Sequence, residues 1–114
     1  MKKYFIFGVA LTLIAPLSFS ASISGRSVIK AIYTYGADTS YQNEVVIQLK
    51  YPIQNCASGF WMSDVDSLEN KKSISILLSA FHTESTVYLA GDDSKRWAGS
   101  GGEYCKLSTV GIER

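Results

Sequence analysis

The sequence predicts a mainly β domain of the α+β class: a small five-stranded barrel with a single helix between the third and fourth strands. Three observations carry that prediction. Short runs of β-branched and aromatic residues recur between turn signals, one segment alone (residues 67 to 83) switches to helical periodicity, and Cys56 and Cys105 bracket that segment.

The first twenty residues, "MKKYFIFGVALTLIAPLSFS", stand outside this pattern. Lys2 and Lys3 precede an apolar run from Tyr4 to Ala15; Pro16 follows, and the small residues Ser18 and Ser20 flank Phe19. Charged, apolar and small-residue regions in that order are those of a secretory signal peptide. A membrane-spanning helix needs about 20 apolar residues, and this run is shorter and broken by proline. The expectation is cleavage after Ser20 or a residue or two later, a secreted or periplasmic product, and no membrane insertion of the mature chain. Residues 21 to 114 then form a single domain of 94 residues, too few for a second core.

The leader removes two of the eleven basic residues, so nine Lys/Arg face ten Asp/Glu and the mature side-chain charge is −1. Such a chain has no electrostatic reason to bind nucleic acid, whose phosphates call for a basic surface. It also lacks the Lys/Arg-rich amphipathic helix that lies on membranes. In an oxidising compartment the two cysteines predict one disulfide, Cys56 to Cys105, worth about 4 kcal/mol by loop closure.

Taken in order, "GRSVIKAIYTYG" (25 to 36) reads as a long first strand, apolar on parts of both faces, as expected where a sheet coils on itself. "ADTSYQN" supplies a turn. "EVVIQLKY" (44 to 51) alternates Val45, Ile47, Leu49 and Tyr51 against Glu44, Val46, Gln48 and Lys50, a strand with one buried face. "PIQNCAS" breaks it, and "GFWM" is a short third strand whose Phe60, Trp61 and Met62 read as packing residues.

Ile74, Leu77, Leu78 and Phe81 then fall at i, i+3, i+4 and i+7, a stripe along one side of a helix. Asp66 and Glu69 have capping-box spacing, so the helix is expected from near Ser67 to near Thr83. Its serines and isoleucines are middling helix formers, so packing of the stripe must hold it. "STVYLAG" is the fourth strand, "GDDSKRWAGSGGE" (91 to 103) a long loop, and "YCKLSTVGI" the fifth strand, with a phase shift near Ser108 that a bulge would produce. Three strands, a helix and two strands is the element order of an OB-like barrel, the helix plugging an open end; an α+β sandwich is the competing arrangement.

The signal peptide, the cysteine before an aromatic strand, "LLSAF" followed by "TVYLAG", and the late "YC" resemble small exported bacterial proteins. More distantly, the last sixty or so residues are similar to the sugar-binding B subunits of subtilase-cytotoxin and pertussis-like toxins. That resemblance implies an OB-fold, a ring-forming homo-oligomer and a glycan ligand, and places no sugar-contacting residue on this chain.

Little in the sequence points to catalysis. His82, the single histidine, falls near the helix C-terminus, where the dipole favours it; a hydrolytic site would need it oriented by a third group. "GSGG" lacks the lysine and helix of a phosphate loop, Asp92 and Asp93 do not fit a calcium loop, and two cysteines with one histidine make no metal set. The reading is a binding module and not an enzyme, with no cofactor and no metal. Trp97 leans toward function: it stands in a glycine-rich loop with Asp93, Lys95 and Arg96, and the loop between strands 4 and 5 of OB-folds binds oligosaccharides. Its ring can stack on a sugar, or it can fold back to cap the barrel. Tyr33, Tyr35, Tyr41 and Tyr51 can extend a patch around it. A periplasmic protein-interaction or inhibitor role without a glycan ligand is the alternative.

Overall fold

The computed structural model describes residues 22–114, and the expected signal peptide at 1–20 lies outside the described residues. Five strands and one helix follow in order: β1 (Ser22–Thr34), β2 (Val45–Leu49), β3 (Gly59–Met62), α1 (Leu68–Thr83), β4 (Thr86–Arg96) and β5 (Tyr104–Glu113). The strands close a barrel in the order β1-β2-β3-β5-β4, with β4 returning to β1. Every neighbouring pair is antiparallel except β3 and β5, which run parallel. This is the OB-like barrel with its helix between β3 and β4, not a sandwich.

β1 starts three residues earlier than the expected Gly25 and serves two neighbours. Ser22 to Val28 pair with β4, and Ile29 to Thr34 pair with β2. Between the pairs Ile29–Leu49 and Ala31–Gln48, Lys30 is an extra residue, a bulge that bends the strand where it changes partner. One strand bent between two neighbours explains why both of its faces carry apolar residues.

β2 sends Val45, Ile47 and Leu49 into the barrel, as the alternation predicts. They meet Phe60, Met62, Val87, Leu89 and the Cys56–Cys105 disulfide in one continuous core. The bridged residues are 49 apart in sequence, with Cα atoms 5.4 Å apart, so the bond ties the turn before β3 to the start of β5. β3 opens on Gly59 at φ 131°, where any side chain would run into the Ile47 carbonyl oxygen; only glycine fits.

The helix differs in detail from its expected form. Its N-cap is Ser67, whose hydroxyl accepts the Asn70 backbone N–H at 3.2 Å, while the Asn70 side chain donates to the Ser63 and Asp64 carbonyls at 2.6 and 3.1 Å. Asp66 lies one residue too early to cap a helix whose first residue is Leu68, so the Asp66–Glu69 box does not form. Leu77 and Ala80 are buried, with Ile74 packed beside them, whereas Leu78 and Phe81 stay 45% and 40% exposed. Leu77 and the small Ala80 face the barrel with Ile74 beside them, and Leu78 and Phe81 of the expected stripe fall on the flank.

β4 is longer than expected. It continues through Asp92 to Arg96, and the loop before β5 shrinks to residues 97–103. Asp92 pairs with Lys106 and Arg96 with Cys105, so residues 93–95 bulge out of the ladder. The bulge expected near Ser108 is present: Ala90 pairs with Thr109 and Gly91 with Leu107, and the Ser108 hydroxyl donates to the Ala90 carbonyl at 3.0 Å. Among the described residues no helix is long and apolar enough to cross a membrane.

Candidate functional site

A second apolar cluster lies on the outside of the barrel wall. Val46 points away from the core yet is only 1% exposed, because side chains from two loops cover it. The β1–β2 connection brings Tyr35 and Tyr41, the β4–β5 loop brings Trp97, and the strands themselves contribute Trp61 and Tyr104. Alternation explains the last two: Phe60 and Met62 face inward and leave Trp61 outside, while Cys105 faces inward and leaves Tyr104 outside.

Trp97 is the hub. Its ring lies 5.5 Å from Tyr35, 5.4 Å from Tyr41 and 5.5 Å from Tyr104, the last edge-to-face, spacings at which aromatic pairs attract. Three polar ends of the cluster are paired within the protein. The Trp97 indole N–H donates to Glu44 Oε1 at 2.7 Å, the Trp61 indole N–H to the Lys95 carbonyl at 2.9 Å, and Gln48 Nε2 to the Tyr104 hydroxyl at 3.1 Å. A side chain at Gly99 would strike the Trp97 ring, so the loop crosses it on glycine. Burial raises the Tyr35 phenol above its ordinary value, and Tyr104, Tyr33, Glu44 and Tyr41 push the same way.

Of the residues singled out in the sequence, Trp97 is 6% exposed. It folds back, and onto the barrel's outer wall instead of its mouth; its faces are occupied by the tyrosines, so it offers no open stacking surface. Asp93 and Lys95 stand in the β4 bulge and Arg96 closes it as the partner of Cys105, so none of the three is in a loop. Arg96 Nη1 donates to the Asn55 carbonyl at 2.7 Å, and Asn55 Nδ2 reaches Asp93 Oδ2 at 3.4 Å, so both residues clamp the turn that carries Cys56. The Lys95 side chain is exposed while its carbonyl holds Trp61. Asp92 Oδ1 accepts from the Ser94 hydroxyl at 2.6 Å and backbone N–H at 2.9 Å; these bonds, aided by Lys95, hold its carboxyl below the usual range. The four residues therefore do not converge on one cleft.

Tyr35 and Tyr41 join Trp97 as a patch, whereas Tyr33 and Tyr51 are exposed outside that cluster. Trp61 and Tyr104 escape a reading by sequence neighbourhood, but the period-2 pattern of "GFWM" already separates Trp61 from its neighbours. The half-buried rings of Tyr35, Tyr41 and Trp61 remain at the surface, and the Lys106 ammonium lies 5.3 Å from the Trp61 ring centre. Flat apolar faces edged by hydroxyls and an ammonium suit a ligand with its own alternation of C–H faces and hydroxyls. His82 is exposed at the end of α1, edge-on to Phe81. Among the described residues no three His, Cys, Asp or Glu side chains group closely enough to hold a metal.

No family model, curated protein or solved structure matches this chain.

Proposed function

We propose that the protein is an exported, disulfide-stapled binding module, not an enzyme, whose ligand is a glycan lying across the outer face of β2 and β3. One observation carries this reading: the β1–β2 and β4–β5 loops, which in OB-folds bind oligosaccharides, are brought together by an aromatic cluster that leaves Tyr35, Tyr41 and Trp61 partly open. The sugar would stack on those rings and bond to the Tyr hydroxyls and Lys106. The resemblance to toxin B subunits agrees with this ligand class and with a ring of identical chains.

Binding of the oxidised protein to an array of immobilised glycans tests it. We expect saturable binding that weakens at least tenfold in Tyr41→Ala/Trp61→Ala, with an unfolding curve confirming that the variant is folded. An array without a hit, or a variant that binds as well as the parent, would remove the reading. Leu68 and Leu78, exposed on α1, favour the second reading, a protein-interaction role without a sugar. Capture of one partner, lost in Leu78→Glu and unaffected by Tyr41→Ala, would select it.

A further inference from the structure

A groove of about 550 Å³ lies where the last turn of α1 meets β1 and the residue after β2. It shares no residue with the outer aromatic face. Its size falls in the range of small-molecule sites, roughly 300 to 1,000 Å³. Val28 and Ile29 supply apolar lining, and Phe81 leaves its ring 40% exposed beside it. An aromatic side chain from the predicted core stripe is thus left facing space and not protein.

The charges lining the groove are unbalanced. Lys30, Lys50 and His82 contribute basic groups, and Glu84 is the acid. Lys30 is the bulge residue of β1, and bulges re-aim a side chain away from its regular direction. The Lys50 backbone N–H donates to the Val28 carbonyl at 2.8 Å, which fixes the main chain of the second lysine beside the same stretch of β1. Among the described residues the ion pair formed is Arg26 with Glu113, so neither lysine is neutralised by a side-chain partner. Two lysines against one glutamate leave the lining of this partly apolar groove with a net positive charge, which an anion relieves.

We propose that this groove is a binding site for a small organic carboxylate carrying a flat apolar ring, its carboxylate between Lys30 and Lys50 and its ring against Phe81. The site does not depend on the glycan reading, because that reading uses a different set of residues. The test is a titration of the ¹⁵N-labelled oxidised protein, followed by amide shifts, with benzoate, with benzamide as its neutral counterpart, and with inorganic phosphate as an anion without a ring. We expect benzoate to give saturable shifts at residues 28–30, 50 and 81–84, and both other probes to bind at least tenfold more weakly. Lys30→Gln/Lys50→Gln should weaken benzoate at least tenfold while its amide spectrum elsewhere stays that of the parent, and Phe81→Ala should weaken benzoate but not phosphate. Absence of saturable shifts overturns the site; benzamide equal to benzoate overturns the role of the lysines, and phosphate equal to benzoate overturns the role of the ring.

Discussion

β2 separates two apolar regions of opposite character. On its inner side Ile47 meets aliphatic side chains, Phe60 and a disulfide; on its outer side Val46 meets Trp97, Tyr104 and the loop tyrosines. The inner region is built of apolar side chains and binds the strands to one another, and the buried hydroxyl beside it, that of Ser27 opposite Val87, bonds to the Tyr51 backbone. The outer region is held by aromatic contacts and by bonds such as Trp97 to Glu44, and what it binds together is loops. The contrast teaches a division of labour: the interior fixes the barrel, and the outer cluster fixes the shape of a surface.

The largest expected effect strikes the inner region. Replacing both cysteines with alanine frees a loop whose ends are 49 residues apart, and loop closure puts the loss at about 4 kcal/mol. That is a large part of the roughly 5 to 15 kcal/mol by which native proteins are stable. Denaturant unfolding of the double variant measures it, and a loss below about 1 kcal/mol would show that the barrel closes without the bond.

A sharper comparison uses adjacent residues. Ile47→Ala removes a fully buried side chain from the inner core, at an expected cost of about 3 kcal/mol. Val46→Ala removes one from the outer cluster, with one fewer carbon lost than in Ile47→Ala and a cost of about 2 kcal/mol. Were the outer cluster an ordinary surface, the second change would fall within about 0.5 kcal/mol. Paired unfolding curves decide between the two.

Much of the inner region was legible in the sequence, because it is written in local periods. The alternation Val45, Ile47, Leu49 and the helical run around Leu77 each report a buried face within a few residues. The helix phase was legible only in part: Ile74 and Leu77 pack on the barrel, but Ala80, which carries no apolar weight in a stripe, is fully buried while Leu78 and Phe81 are not. The end of β4 was hidden because three bulged residues between Asp92 and Arg96 erase the period-2 pattern. The outer cluster was harder still. Val46 sits between Glu44 and Gln48 on what reads as a solvated face, and the side chains that bury it come from Tyr35, Tyr41 and Trp97, the last about fifty positions away. Nothing local distinguishes a loop tryptophan that will be buried from one that will be exposed.

The smallest effect separates the regions by pH. The inner cluster contains no titrating side chain, since its cysteines are bridged. The outer one contains Tyr35, whose phenol is raised above its ordinary value chiefly by burial. A group that holds its proton more tightly when folded adds stability that is complete below its unfolded value, about 10 for tyrosine, and is lost as pH rises through the folded value. Stability measured from about pH 8 to 11 should therefore fall more steeply in the parent than in Tyr35→Phe, with the two curves parallel below about pH 9. The change should appear in Trp97 fluorescence, because that ring packs on Tyr35, while Trp61 is the second tryptophan and its contribution is removed by comparison with Trp61→Phe. If parent and Tyr35→Phe decline together at every alkaline pH, the phenol is not held by the cluster, and the outer region is looser than the barrel wall it covers.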